Sequence, residues 1–581
     1  MENNEKFAHN RHTLAHLLAQ AVKAKYENAQ LTLGPAVDNG FYYDIDFGTE
    51  KVSDEDLAGL QKAMQKSLSS WTEFTHKEVS KDEALETFKG NVYKEELINE
   101  IADRGEKITL YTCGGFTDLC RGGHAENPAK EIPGDSFKLD RVAGAYWRGD
   151  EKNKMLTRIY GLAFENKEKL DAYILQQEEA KKRDHRKIGK EMGLFIFSDL
   201  VGPGLPLWTP KGTIIRELLN DYVWELRKIR GYQKVTIPHI TKKELYEKSG
   251  HWAKYSDDLF KIETREKHTL VMKPMNCPHH TQIFDSEPRS YRDMPQRYAE
   301  TTMVYRDEQS GELSGLSRVI SITQDDAHVF CRENQVEEEV MAVWDIIDTF
   351  YKTFGFELQV RFSRHDPKTP EKYLGGEELW AKAEGALKNL MEKKGVTWID
   401  GVGEAAFYGP KIDFISRDSI GRVLQVATVQ LDFNQPKNFD LTCTNEKGEK
   451  EQIVMIHCAV MGSIERFMST LIEHLAGDFP LWLCPTQVAV IPVKDIHEDA
   501  GYEMENVLKN SGIRTAVFPS NDSLGKRIHK AKALRAPYVI VLGDKEKESG
   551  MLTIEKRDGT KIQMTLTDLT TLLETEIKNR S

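Results

Sequence analysis

The stretch YAETTMVYRDEQSGELSGLSRVISITQDDAHVFC (residues 298–331) decides how the central part of this chain folds. It reads as a strand carrying Arg306, a polar glycine-rich loop, and a return strand carrying Arg318. Strict alternation in ITQDDAHVF sends Gln324, Asp326 and His328 to one face of the sheet. Polar side chains buried together on one face need partners or a ligand. Further on, VMIHCAVMGSIERFMSTLIEHLAG (454–477) is a strand that turns through Gly462 into a helix, with Ser463 as its cap and Glu465 and Arg466 in its first turn. An arginine there opposes the helix dipole, so it calls for an anionic partner. A strand arginine, a polar loop and a second arginine behind a glycine turn together suggest a clamp for a triphosphate.

Around this centre, 581 residues are too many for one core and point to three or four domains. Residues 1–165 mix helices with short strands, and 166–190 form a highly charged linker helix. Residues 191–480 form a large α/β body. In 481–581, VAVIPV, AGYEMENVLKNSG, TAVFP and YVIVLG alternate as strands and helices of a mostly parallel α/β domain. The fold class expected is therefore multidomain α/β (α+β). No apolar run approaches a membrane span, and the start MENNEKFAHN is no signal peptide. Seven scattered cysteines suit a reducing cytoplasm better than a disulfide framework. The net charge of −12 argues against wholesale coating of nucleic acid, yet KKRDHRKIGK (181–190) and GKRIHKAKALR (525–535) are local basic patches. Each taken alone reads as a solvated helix face.

RHTLAHLLAQ (11–20) places His12 and His16 one helical turn apart, with Asn10 as a candidate N-cap. Leu14, Leu17, Leu18 and Ala21 share one face of that helix, and the histidines lie opposite. LCRGGH sets Cys120 and His124 four apart around two glycines, where backbone can approach a ligand. On spacing alone, a four-ligand zinc site and two unrelated pairs remain equally open.

The 298–331 and 454–477 stretches resemble motifs 2 and 3 of the class II aminoacyl-tRNA synthetases. The helix IIRELLNDYVWELRKIRGY leading to KVTIPHI, with Pro238, resembles motif 1. MKPMNCPHH, GLSRVISITQDDAHVFC, AFYGPKIDF, TVQLDF and VMIHCAVMGSIERF are similar to the threonyl-tRNA synthetase family, in order and spacing, over nearly the whole chain. The resemblance implies a class II antiparallel sheet core, with an editing domain at 1–165 and an anticodon-binding domain at 481–581. It implies ATP-dependent activation of L-threonine, transfer to tRNA(Thr), and hydrolysis of mischarged seryl-tRNA.

The resemblance further implies one Zn²⁺ held by Cys277, His328 and His457 from strands or strand ends, with an open position for the threonine amine and hydroxyl. Asp326 would hold that hydroxyl, with Gln324, Tyr408, Lys411, Gln425 and Gln430 completing the pocket. Valine, lacking the hydroxyl, would leave polar partners unpaired. Arg306 would neutralise the α-phosphate, Arg466 the γ-phosphate, and Arg318 the region between, with Mg²⁺ accompanying ATP. One methyl group supplies only roughly 1–3 kcal/mol against serine, so a second site must remove it. His12, His16, Tyr42, Lys94, Asp118, Cys120 and His124 match that editing site, which is expected to work without metal. Asn521, Arg535 and Glu546 match anticodon contacts, and the motif 1 helix implies a homodimer.

Several positions depart from the family pattern. The family begins with a small ubiquitin-like domain, and this chain starts at the editing helix, so a member without that domain is expected. His279 stands where glycine is usual, Cys458 where arginine is common, and Glu555 where arginine often lies; Arg557 is the candidate substitute. Alternation turns Cys458 away from the zinc. Another class II ligase, or a non-catalytic paralogue binding RNA as a regulator, are the rival readings.

Overall fold

The computed structural model describes residues 2–418 and 421–580. The chain forms two compact units, one ending at Glu178 and one beginning at Glu179. In the first, the helix Glu2–Lys25 buries Leu14, Leu17, Leu18 and Val22 in one core with Phe41, Tyr43 and Ile45 of the strand Gly40–Asp46. That strand sits between Gln30–Leu31 and Met155–Ala163, with Phe137–Tyr146 beyond, all antiparallel. A second sheet joins Thr75–Val79, Ile108–Cys113 and Phe116–Leu119. Asn10 is not a cap, because the helix starts eight residues earlier, at Glu2.

The expected linker helix is two helices. Asp184 (φ −50, ψ 119) leaves the helical region and accepts a hydrogen bond from the Arg186 backbone N–H, separating Lys167–Arg183 from His185–Met192. The second is not merely solvated, since His185, Ile188 and Met192 are buried.

The second unit is built on eight strands in the order Gln233–Lys234, Gln296–Tyr305, Ser321–Cys331, Val454–Ala459, Val423–Asp432, Lys411–Arg417, Leu358–Arg364, Trp398–Val402. All neighbours are antiparallel except the first and last pairs. Arg306 follows the first long strand rather than lying in it, and Arg318 sits in the turn before Ser321, not on the return strand. The helix Pro210–Ile229, with Thr209 capping Gly212 N–H, lays Ile215, Leu219 and Val223 on the sheet's core face. Ile214, Leu218 and Leu226 stay half-buried. Its Arg227 is buried against Asp325 of the Ser321–Cys331 strand. The other Asp325 oxygen accepts from Val460 and Met461 N–H, both at 2.9 Å. One carboxylate thereby joins all three motif segments.

Beyond Pro480 a five-stranded sheet runs Thr515–Val517, Val488–Pro492, Tyr538–Leu542, Leu552–Lys556, Lys561–Met564, the first three parallel. Every residue of Val488–Pro492 is buried, as its unbroken apolar run requires.

Removing Arg227 strands Asp325 as an unpaired buried charge. Arg227→Met is expected to destabilise the larger unit by about 3–5 kcal/mol. Calorimetry should show its transition fall while that of the smaller unit stays in place.

Candidate functional site

Cross-strand register builds the first site. Gln430, His457 and His328 are direct partners on three adjacent strands, so they form one row across the sheet. Asp326 stands two residues along from His328 on the same face, with 3.6 Å between its Oδ1 and His328 Nε2. Cys277 comes from elsewhere than expected: it is the first residue of the helix Cys277–Asp285, not a strand residue. Cys277, His328 and His457 are all buried, and their donor atoms lie within 4.8 Å of one another.

The groups behind these donors orient them. His457 Nε2–H donates to the buried Asp432 at 3.0 Å, and Gln435 and Asn434 hold that carboxylate in turn. His328 Nδ1 meets His280 Nδ1 at 2.7 Å, and Asn276 donates to Asp326 at 3.0 Å. Burial keeps the His328 imidazole neutral, well below its ordinary pKa, which is the ligating form. A soft sulfur and two imidazoles backed by hydrogen bonds, the only Cys and His donors grouped here among the described residues, fit a tetrahedral cation with one open position. Tyr408 packs its ring 5.0 Å from His457 and closes the side of this pocket. Cys458 points to the opposite face, into the core beside Tyr232. His279 is buried near Tyr246 and is not one of the three grouped donors.

A cavity of about 500 Å³ opens on the same sheet, lined by Arg306, Arg318, Arg466, Gln324 and Gln425. Gly462 (φ +67) turns the chain, and Ser463 accepts from Arg466 N–H, so Arg466 projects from a capped helix start. Its neighbour Glu465 turns inward and accepts from Thr323 N–H and hydroxyl at 2.8 and 2.7 Å. Arg318 is held by Glu308 (2.7 Å) and Glu312 (3.0 Å), carboxylates of its own loop. Gln425 and Lys411 are both tied to the buried Asp413, at 2.9 and 3.2 Å.

The histidines of the first helix form a separate site in the smaller unit. His12, His16, Cys120 and His124 place their donor atoms within 4.8 Å of one another, beside a cavity of about 540 Å³ that Lys94, Asp118, Tyr42 and Tyr43 also line. His16 is buried rather than solvent-facing, because a polar cluster covers that helix face. His12 Nδ1–H donates to Gly123 C=O (3.2 Å), leaving its Nε2 to accept from His16 Nε2–H (3.2 Å). His16 Nδ1–H meets Asp118 at 3.2 Å, so both of its nitrogens donate and the ring is cationic. Burial works against that charge, but Asp118 and Cys120 outweigh it and raise the His16 pKa to about 9. Burial likewise opposes the Cys120 thiolate, yet the imidazoles around it, the His16 cation among them, bring its pKa down to about 3. Lys94 pairs with Asp118 at 2.5 Å. The tyrosine on Asp118 is Tyr43 (2.6 Å); Tyr42 lies on the other strand face under Arg158.

In the C-terminal sheet, Asn521 and Glu546 follow the carboxyl ends of parallel strands, where open α/β sheets bind ligands. Arg535 precedes Tyr538, at the opposite end of the sheet, and pairs with Asp478 at 2.9 Å. The helix Leu524–Ala533 separates them. In the basic patch Lys526 and Lys530 both pair with Asp522, Arg527 is buried, and Lys532 pairs with Glu555. Arg557 is committed to Phe479 and Arg535 carbonyls, so it does not stand in for an arginine at Glu555.

His280, Asp413 and Asp432 escaped the sequence reading, which favoured Tyr42 over Tyr43 in GFYYDID. Asp432 carries a signal: an acidic residue ending the apolar TVQLDF strand is costly unless paired.

Residues 260–475 match the family model for the class II tRNA synthetase core domain (G, H, P, S and T). Residues 487–576 match an anticodon binding domain, and 108–160 match the threonyl and alanyl tRNA synthetase second additional domain. A threonine–tRNA ligase of Phocaeicola vulgatus is 46% identical over 574 residues, covering 98% of this chain and 88% of that protein. One of Thermotoga maritima is 46% identical, covering 95% and 85%. A solved RNA binding domain of threonyl-tRNA synthetase from Cryptosporidium parvum superimposes with a TM-score of 0.65 at 34% identity, covering 68% of this chain and 98% of that one. A Giardia lamblia prolyl-tRNA synthetase shares the fold at 16% identity and a TM-score of 0.55, covering 70% and 81%. With its three matched domains and near-full-length relatives, this chain belongs to the threonine–tRNA ligase family.

Proposed function

We propose that the chain activates threonine with ATP, transfers it to tRNA(Thr), and hydrolyses seryl-tRNA at the His12–His16–Cys120–His124 site. The observation that carries this is the His328–His457 row beside Cys277 and Asp326, on the sheet that also bears the three-arginine cavity. Cys277, His328 and His457 would hold Zn²⁺, which when bound takes the amine and side-chain hydroxyl of threonine and so excludes valine. Asp326 accepts the hydroxyl proton's hydrogen bond, and Gln430 and Tyr408 bound the methyl side. The threonine carboxylate then attacks the α-phosphorus of ATP, brought with Mg²⁺, in line with the leaving pyrophosphate. Arg306 meets the charge developing on the α-phosphate, and Arg466 and Arg318 hold the β- and γ-phosphates. The terminal ribose hydroxyl of the tRNA next attacks the adenylate carbonyl, and AMP leaves. No protein nucleophile is needed, so the catalytic residues work by position and charge.

In the editing site the two cations Lys94 and His16 stand against the Asp118 carboxylate and the Cys120 thiolate, which supports a site that works without a metal. We assign a water, oriented by this network, as the nucleophile on the seryl ester. The boundaries we assign are 1–165 for editing, 166–190 for the linking helices, 191–480 for catalysis and 481–581 for anticodon recognition. The half-buried Ile214, Leu218 and Leu226 of the Pro210–Ile229 helix support a dimer through that surface.

His328→Ala is expected to abolish both bound zinc and threonine-dependent ATP–pyrophosphate exchange. Asp432→Ala should weaken zinc retention about 10–100-fold, as loss of an outer partner does; chelator competition reads this, and an active preparation without zinc would refute the pocket. The double change His12→Ala, His16→Ala should leave threonine charging near normal while seryl-tRNA deacylation falls about 100-fold or more. Full deacylation by that variant would make the cluster structural, and activity restored only by added Zn²⁺ would make it a metal site. Light scattering at micromolar concentration should give twice the 66.4 kDa chain mass.

A further inference from the structure

His185 is used by nothing above, yet it is buried and both its ring nitrogens are committed. Its Nδ1–H donates to Glu473 at 2.6 Å, and its backbone N–H donates to the same oxygen at 3.1 Å. Its Nε2 faces the backbone N–H of Leu316 at 3.0 Å. A backbone N–H can only donate, so Nε2 is the acceptor and the ring is the neutral Nδ1–H tautomer. No lone pair remains for a metal, although Asp184 and Glu473 are near.

Leu316 is the buried apex of the Ser314–Arg318 turn, closed by Ser314 N–H to Arg318 C=O at 3.1 Å. Gly315 (φ +50) lets that turn approach: a Cβ there would fall 2.4 Å from His185 Nε2. The next two residues, Ser317 and Arg318, line the three-arginine cavity, and Ser317 Oγ meets Ser469 Oγ at 3.1 Å. Glu473 is fixed from its other side by Arg422 and lies on the Ile464–His474 helix, as do Ser469 and Arg466.

We propose that His185 is a positioning residue for the nucleotide cavity: it anchors the Ser314–Arg318 turn to the Arg466 helix, and so sets where Ser317 and Arg318 meet the phosphates. This rests on the reading of that cavity as the ATP site. Asparagine keeps a donor where Nδ1 stands but loses the acceptor, whereas glutamine can place an oxygen where Nε2 stands. Threonine-dependent ATP–pyrophosphate exchange with the full chain tests the idea. His185→Asn should raise the KM for ATP about tenfold, the scale of one lost buried hydrogen bond, with kcat and the KM for threonine little changed. His185→Gln should recover the KM to within about threefold. Gly315→Ala, which leaves the linking helix intact, should raise it likewise. If His185→Asn or Gly315→Ala lowers the melting temperature but leaves the ATP KM unmoved, the residue only holds the fold and the proposal falls. Equal KM rises in His185→Asn and His185→Gln would overturn the acceptor assignment. Arg466→Ala separates the two readings: unimpaired exchange there refutes the ATP cavity itself, while impaired exchange with a normal ATP KM in His185→Asn refutes only the role of His185.

Discussion

Two neighbouring aspartates, pointing to opposite faces of one strand, hold the larger unit together. Asp325 faces the core, where Arg227 and two backbone N–H groups take up its charge. Asp326 faces the pocket, beside His328. A slip of one residue in the Ser321–Cys331 register would exchange the faces, burying His328 in hydrocarbon and turning Ala327 and Val329 to the substrate. The Arg227 pair forbids that slip, because only one register meets both the Pro210–Ile229 helix and the Val460–Met461 turn. The row of Gln430, His457 and His328 then follows from strand pairing alone.

The two histidine clusters look alike in composition and differ in electrostatics. Around His12 and His16, charges of both signs are present and cancel locally, and His12, His16 and Lys94 each have protein partners. Around His328, burial holds that imidazole's pKa well below its ordinary value and pushes the thiol of Cys277 up. The first arrangement is poised to polarise a water. The second groups three ligand atoms of the kind a divalent cation binds.

Much of this was legible in the chain because it depends on local periodicity. The alternation of ITQDDAHVF, the glycine turn before Ser463 and the apolar run of VAVIPV each appear in the structure as read. What could not be read depends on contacts between distant segments. Asn10 looked like a cap because nothing local shows that the helix begins at Glu2. Tyr42 and Tyr43 differ only by which strand face meets Asp118, a matter of how two sheets pack. Arg535 shares a basic run with residues near Asn521, but a ten-residue helix carries it to the other end of the sheet. Asp413, which holds both Gln425 and Lys411, was invisible inside an ordinary strand.

The Ile464–His474 helix is clamped at both ends: Glu465 binds Thr323 in its first turn and Glu473 binds His185 and Arg422 in its last. Arg466 therefore cannot slide along the sheet, and Arg306 is fixed to the other jaw by the strand it follows. With a nucleotide seated as proposed, the pair acts as a caliper of set opening. Such a gauge measures the length of the phosphate chain, so a diphosphate would reach one jaw and leave the other empty. Selection of the nucleotide would then be a matter of span, independent of any contact with the base.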